Sequence, residues 1–265
     1  MSKILILGAT GSLGRHVTQQ AVSANHEVST LVRTPSKLPA EVREKVVVHQ
    51  ADLAKTPVAV LATIFRNHDV VINTAGLVTE GQIFVDLIDR IVTSLESLPD
   101  KDRPVCWFMA GAALLDLDDG GRKGVDLPRV PSTYWPHRAN FDRIRQTALD
   151  WRILCPGPMV NQPPLGLARM RISLGRLPVQ VPSFTRFLPG ALVLPFFAYR
   201  VPEMIVSYAD AAALMLGTLT PNGEMSRHRV GLALPVGMRG KKKQWTAKSN
   251  AGYPASRACQ GNGSD

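Results

Sequence analysis

Three glycines near the amino terminus have the spacing of a turn that binds the phosphates of a dinucleotide. They follow the apolar run Lys3–Leu7 and precede a segment with helical periodicity. Glycine lets the backbone approach a pyrophosphate, and the amino end of a helix supplies free N–H groups and a positive dipole end. The order strand, turn and helix therefore predicts a pyrophosphate site, although a plain structural turn has the same residues. The predicted site residues are Gly8, Thr10, Gly11, Ser12, Leu13 and Gly14.

Two cations follow the second predicted strand, Glu27–Val32. Sites selective for NAD place a carboxylate there for the ribose 2′-hydroxyl, whereas NADP sites have an arginine for the 2′-phosphate. This chain has Arg33, with Lys37 behind it and no carboxylate in residues 28–39. The pattern favours NADP(H) over NAD(H), because a guanidinium binds phosphate through two parallel hydrogen bonds. Both side chains could instead be solvated loop cations.

Composition limits the partners. The chain has 265 residues, of which 45% are hydrophobic and 20% charged, as in a single globular α/β domain. The net charge is +10, but six cations from Arg239 onward face only Asp265, so five of these charges belong to the tail. Since no aromatic-basic motif accompanies them, we predict no nucleic-acid partner.

Cysteine usage and the amino terminus predict a cytoplasmic protein. Cys106, Cys155 and Cys259 show no metal or disulfide spacing, and the first two fall in predicted strands, as buried thiols do. Met1 leads directly into the first strand, without a cleavable apolar segment. The longest apolar stretch, residues 187–199, is interrupted by two prolines and a glycine, so we expect no transmembrane segment and no metal site.

Alternating strands and helices predict an α/β fold, a Rossmann-type doubly wound parallel sheet with a small C-terminal substrate-covering region. The predicted strands are 3–7, 27–32, 46–49, 69–73, 105–109, 151–155 and 227–234. Beyond the helix after the glycine turn, the predicted helices are about 59–66, 82–98, 136–148 and 208–219. The NAD(P)-binding domain should span 1–239, its covering part about 157–205, and a basic disordered tail 240–265.

Several motifs, in this order, resemble those of an atypical short-chain dehydrogenase/reductase of the NAD(P)H-binding, NmrA-like group. The resemblance extends over roughly residues 3–238. Its most specific parts are Gly8-Gly11-Gly14, Leu31-Val32-Arg33, Ala51-Asp52-Leu53, Asn73 to Gly76, Leu149 to Trp151 with Pro156-Gly157, and Val206 to Asp210. Within the group, the N-terminal half is similar to NADPH-dependent flavin reductases of the biliverdin-reductase-B type.

The resemblance implies further cofactor contacts. It implies that Asp52 hydrogen-bonds the adenine with Leu53 beside it, and that Pro156 and Gly157 border the nicotinamide. It also implies that the turn after the fourth strand passes under the ribose and pyrophosphate; its residues are Asn73, Thr74, Ala75 and Gly76. In a simpler interpretation, Asp52 caps a turn and the other residues belong to ordinary loops.

Catalytic members of that superfamily move a proton with a Tyr-x-x-x-Lys pair and a serine. The nearest match here is Tyr134 with Arg138, and Met109-Ala110-Gly111-Ala112 replaces the serine segment. Pro136 predicts a helix that begins there, with Tyr134 just before it. The catalytic candidates are Tyr134, Arg138 and His137, whose imidazole would titrate near neutrality. The alternatives are an ordinary loop aromatic and a structural histidine.

These features favour an NADPH-dependent oxidoreductase that transfers hydride to a planar apolar acceptor: a flavin, a quinone or an aromatic ketone. Such a transfer needs the acceptor stacked on the nicotinamide, and its protons can come from water. Residues 165–197 would line the acceptor pocket, with Arg169, Arg171 and Arg176 near an anionic substituent. Because the lysine and the serine of this proton-transfer set are missing, the sequence also fits a non-catalytic NADP(H)-binding sensor whose tail docks on a partner. A nucleotide-sugar epimerase or dehydratase is disfavoured, because it would need the tyrosine base.

Overall fold

The computed structural model describes residues 1–128 and 130–241. Its strands are β1 (Lys3–Leu7), β2 (Glu27–Val32), β3 (Val47–Gln50), β4 (Val70–Asn73), β5 (Val105–Met109), β6 (Trp151–Pro156), β7 (Met159–Val160), β8 (Arg171–Leu174), β9 (Val206–Ser207) and β10 (His228–Ala233). Its α-helices are α1 (Ser12–Ser23), α2 (Ala40–Arg43), α3 (Val58–Arg66), α4 (Gln82–Glu96), α5 (Pro131–Ile144), α6 (Gly190–Arg200) and α7 (Tyr208–Leu216).

Eight strands form one sheet in the order β3-β2-β1-β4-β5-β6-β10-β8, and β7 pairs with β9 outside it. Every pair in the main sheet is parallel except β8 with β10. The chain order reverses at β1, which lies between β2 and β4, so a crevice opens at the carboxyl ends of these strands. The predicted Rossmann-type sheet is confirmed.

Side chains of β1 alternate between the two faces of the sheet. Ile4 and Ile6 pack into a core with α1 and α7, whereas Leu5 and Leu7 pack into a second core with α3, α4 and α5. All four side chains are fully buried. A strand with four consecutive apolar residues, Ile4 to Leu7, therefore has helices on both sides, as predicted.

Helix α5 begins earlier than predicted. It starts at Pro131 and contains Pro136 in its interior. Both prolines carry the same start signal, and Pro131 takes the first-turn position, where a missing N–H costs least. The prediction that Tyr134 precedes the helix was wrong; it lies within the first turns.

The predicted covering part contains more regular structure than its sequence pattern indicated. Strand β8 joins the main sheet as an edge strand and pairs antiparallel with β10. Helix α6 packs Val193 and Phe197 into a third core with Val125 and Val179. Part of the predicted cover therefore belongs to the sheet.

Cys106 and Cys155 are buried, unpaired thiols, as predicted. Burial raises the pKa of both groups. Cys259 and residues 242–265 of the predicted tail lie outside the described residues. No helix in the described ranges has the length and apolar character needed to cross a bilayer.

Asp210 holds the covering part against α7. It is 1% exposed, and its carboxylate accepts the N–H groups of Leu165 at 3.0 Å and Gly166 at 2.9 Å. The Ser207 hydroxyl donates to this carboxylate and caps α7 by accepting the N–H of Asp210. The motif Val206 to Asp210 thus has a structural role.

Asp210→Ala should lower the free energy of unfolding by about 2–4 kcal/mol, because two partly buried backbone N–H groups and the buried Ser207 hydroxyl lose their acceptor. Denaturant unfolding measures this change. The control is Asp100→Ala, which removes a carboxylate that is 90% exposed beside Arg103. Its effect should stay below about 0.5 kcal/mol, and equal losses would contradict the role of Asp210.

Candidate functional site

A cavity of about 340 Å³ opens where the order of the sheet reverses. Its walls come from the loops after β1, β2, β3 and β4, which the parallel pairing brings to one edge. The predicted cofactor residues that line it are Gly8, Thr10, Gly11, Arg33, Asp52, Leu53, Thr74, Ala75 and Gly76. The predicted residues outside its lining are Ser12, Leu13, Gly14, Lys37, Asn73, Pro156 and Gly157.

The glycine turn at the cavity floor has no room for side chains. Gly8 has φ +83°, and a Cβ there would lie 2.7 Å from the Ala75 nitrogen. A Cβ on Gly14 would lie 2.1 Å from the Gly8 carbonyl oxygen. Helix α1 starts after Gly11, which has no side chain to cap the helix. The first backbone N–H groups of α1 therefore face the turn without a side-chain acceptor. This cradle of bare backbone fits a pyrophosphate.

The turn after β4 is fastened to β1. The Thr74 hydroxyl donates to the Leu7 carbonyl at 2.8 Å. Asn73 is 1% exposed, and its side-chain oxygen accepts the Ala75 N–H at 3.1 Å. Asn73 therefore shapes the turn from behind, while Thr74 to Gly76 line the cavity.

The charged candidates occupy different positions. Arg33 is exposed at the cavity wall, and within the described chain it has no hydrogen bond or ion pair. Lys37 is exposed in a short 3₁₀ helix, Pro35–Lys37, away from the lining. Asp52 accepts the Ala54 N–H at 2.9 Å, so it caps a turn and also lines the cavity.

Pro156 ends β6 and Gly157 follows it, at the same edge of the sheet as the cavity. A Cβ on Gly157 would lie 2.5 Å from the Met204 carbonyl oxygen, so the covering part packs directly on this backbone. Two strands, β4 and β5, separate β6 from β1. The pair therefore lies beyond the cavity, further along the crevice.

Sequence reasoning missed the rim of the cavity after Gly76. Leu77 and Ile83 are 63% and 66% exposed there, and the Glu80 carboxylate accepts the Leu77 N–H at 3.2 Å. The sequence of this segment gave no sign that these residues line a cavity, because their exposure at the rim depends on the path of the loop.

Phe84 connects this rim to the predicted catalytic helix. Its ring fills the space that a side chain at Gly76 would need and meets the His137 ring edge-on at 6.0 Å. Tyr134 stacks on His137 at 6.0 Å and is 40% exposed. A Cβ on Gly111 would lie 3.3 Å from His137 Nε2. The segment 109–112, which lacks the catalytic serine of the superfamily, therefore leaves space for the His137 ring.

His137 is only 7% exposed, and its Nδ1 is buried without a partner. Desolvation by burial lowers its pKa to about 4, so the expected titration near neutrality is wrong and the ring is neutral at pH 7. One turn further, Asn140 is 5% exposed and both its amide atoms lack partners. Sequence reasoning missed Asn140, because an asparagine within a helix carries no signal of burial.

The arginine candidates bind carboxylates. Arg138 pairs with Asp126 and lies 4.0 Å from Asp142. Arg171 pairs with Glu203 at 2.9 Å and Arg176 with Asp119 at 2.6 Å, whereas Arg169 is exposed. The first three guanidinium groups are therefore already engaged in ion pairs. In the described ranges, no three His, Cys, Asp or Glu side chains are grouped to hold a metal ion.

A doubly wound sheet with a glycine-walled cavity at its reversal point defines a Rossmann-type dinucleotide-binding protein. The model of the NAD(P)H-binding family matches residues 8–174, and the chain belongs to that family. The predicted NAD(P)H-binding family is thereby confirmed, and the class of ligand for this family is a nicotinamide dinucleotide.

The chain is similar to one protein by sequence and to solved structures by fold. Uncharacterized protein YwnB of Bacillus subtilis (strain 168) is 28% identical over 160 residues, which cover 58% of this chain and 71% of YwnB. A Streptococcus pneumoniae TIGR4 structure, provisionally named an NADH-flavin reductase, is 16% identical with TM-score 0.62 and covers 88% of this chain and 100% of its own. ChuY of Escherichia coli O157:H7, named an anaerobilin reductase, is 14% identical with TM-score 0.59 and covers 88% and 98%.

Acid should destabilise the protein through His137. Between its ordinary pKa of 6.5 and the folded value of about 4, the unfolded chain binds the proton and the folded chain does not. The free energy of unfolding should therefore fall as the pH falls through this window, by about 3 kcal/mol from this group. Denaturant unfolding at about pH 7 and about pH 4 measures it.

His137→Gln should flatten this pH dependence, whereas His228→Gln, at an exposed site, should preserve it. Equal slopes in all three proteins would contradict a neutral, buried His137.

Proposed function

We propose that this protein is an NADPH-dependent oxidoreductase that passes hydride to a planar, apolar acceptor such as a flavin, a quinone or an aromatic ketone. The observation that carries the proposal is Arg33, which stands at the cavity wall without a carboxylate partner among the described residues. An arginine at the end of this strand accommodates a 2′-phosphate. Two structural neighbours are named as reductases, one of flavin, which supports the reaction class.

The chain offers a complementary group for each part of the cofactor. The turn at Gly8 and Gly11, with the first amides of α1, would bind the pyrophosphate. Arg33 would bind the 2′-phosphate, and Asp52 the adenine. Thr74, Ala75 and Gly76 would support the ribose, and Pro156-Gly157 would border the nicotinamide. The bound cofactor supplies the hydride.

Helix α5 supplies the groups that would face the acceptor. The neutral His137 ring has one N–H, which can donate a hydrogen bond to a carbonyl or ring nitrogen of the acceptor. Tyr134, stacked on it and partly exposed, would pass a proton between this position and solvent. Arg138, held by Asp126, would support the helix rather than the phenol.

We also propose that the protein is located in the reducing cytoplasm, because Cys106 and Cys155 are unpaired thiols.

The full chain should oxidise NADPH only when an acceptor is present. Absorbance at roughly 340 nm should fall when free flavin or a soluble quinone is added. Tight NADPH binding without oxidation by any planar acceptor would contradict the proposed activity and favour the non-catalytic sensor. Absence of binding would reject both.

The variant Arg33→Gln should weaken NADPH binding by roughly 10- to 100-fold and leave NADH binding nearly unchanged, because a lost charge-assisted contact costs about 1.5–3 kcal/mol. Calorimetric titration with both cofactors measures this selectivity. The control Lys37→Gln removes a neighbouring cation outside the cavity, and its effect should be within about threefold. Equal losses for both cofactors in Arg33→Gln would contradict the 2′-phosphate role.

A further inference from the structure

An exposed apolar surface lies on the outside of the covering part. It consists of Phe184, Phe187, Leu192 and Tyr199, which are 53%, 75%, 55% and 62% exposed. The first two belong to a short 3₁₀ helix, Ser183–Phe187, and the others to α6. The Phe184 ring meets the ring of Phe196 on α6 at 5.5 Å, which joins the two elements. We call these four residues, with Arg186 and Arg239, the α6 surface.

The outer face of α6 lacks charged side chains. Val193 and Phe197 are buried, and the exposed positions between the ends of the helix are Ala191, Leu192, Pro195, Ala198 and Tyr199. A helix face in water normally carries charged or polar residues. The exposed face of α6 is instead apolar over two turns, so its sequence is suited to an apolar neighbour.

The cations of the α6 surface lie on its aromatic rings. The Arg186 guanidinium is 4.4 Å from the centre of the Phe187 ring, and that of Arg239 is 4.3 Å from the Tyr199 ring. Neither has an ion-pair partner among the described residues. Each cation is thus paired with an exposed ring and keeps its charge uncompensated.

Carboxylates nearby are already neutralised. Asp119 pairs with Arg176, and Glu203 pairs with both Arg171 and Arg200. Lys241 follows Arg239 and is exposed. The α6 surface is therefore apolar at its centre and positive around it.

We propose that the α6 surface binds the face of an anionic phospholipid bilayer. Phe184, Phe187 and Leu192 would enter the boundary between headgroups and acyl chains, where amphipathic elements with aromatic and basic residues bind. Arg186 and Arg239 would remain at the depth of the phosphates, because an arginine extends its charged end toward the interface. The binding is peripheral and is independent of the proposed redox function.

Charge favours a lipid surface over a second copy of this chain. In a two-fold symmetric dimer, the α6 surface would face itself, and the arginines of one copy would lie opposite those of the other. Such a contact would desolvate like charges without a carboxylate between them. An anionic bilayer supplies the opposite charge together with an apolar layer.

Flotation of the full chain with lipid vesicles tests the proposal. The protein should float with vesicles of phosphatidylcholine that contain about 30% phosphatidylglycerol, and only weakly with pure phosphatidylcholine. Phe187→Ser/Leu192→Ser should weaken binding by roughly tenfold or more through lost apolar burial. Val47→Ser/Val60→Ser, which changes two side chains that are 60% and 48% exposed in β3 and α3, should bind as the unchanged protein does.

The charges are tested in the same assay. Arg186→Gln/Arg239→Gln should weaken binding by roughly 30-fold, because each basic residue near an anionic surface contributes about 1 kcal/mol. Arg43→Gln/Lys45→Gln removes the same charge at the β3 end of the sheet and should weaken binding much less. An unchanged midpoint of denaturant unfolding in every variant would show that the fold is retained.

Three results would overturn the proposal. The first is equal binding to neutral and anionic vesicles, or binding to neither. The second is full binding by Phe187→Ser/Leu192→Ser, which would place the lipid contact in other basic parts of the chain. The third is a dimer of the unchanged protein that these substitutions dissolve, which would make the α6 surface an interface between copies.

Discussion

The site depends on one contact between two stretches of backbone. At the start of α1, a side chain on Gly14 would overlap the Gly8 carbonyl oxygen, 2.1 Å from its Cβ position. Because neither residue has a Cβ, the helix begins directly over the end of β1, and its amides point into the crevice. Thr74 binds the last carbonyl of β1 from the other side, so the β4 turn is positioned against the same point. This steric constraint belongs to the chain whether or not a ligand is bound.

Local sequence determines much of the fold but not all of it. The strands at 3–7, 27–32 and 105–109 were predicted to the residue, because each is a compact apolar run. Helix α5 was misplaced because two prolines carry the same signal and only tertiary packing selects between them. Strand β8 was missed because it has four residues at a sheet edge, and its pairing is set by β10, far along the chain.

The candidate site shows the same division. Residues that follow strand ends could be predicted, since parallel pairing brings those ends to one edge. Leu77 and Ile83 could not, because only the path of the loop exposes them at the cavity rim. Burial was also invisible at the sequence level: it suppresses the charge of His137 and leaves the Asn140 amide without partners. Helix α5, whose overall polarity is ordinary, therefore carries buried polar atoms without partners beside the cavity wall.

The position of β10 in the sheet determines which parts of the protein can fold while the chain is still being synthesised. This strand lies between β6 and β8, although it is the last of the described strands to be made. Until residues 228–233 leave the ribosome, β8 has no neighbour in the main sheet and β6 presents an open edge. The glycine turn and the first six strands can assemble long before then, whereas the covering part must wait. Loss of the last strand would therefore leave β8 without its neighbour and β6 with an unpaired edge, which favours aggregation.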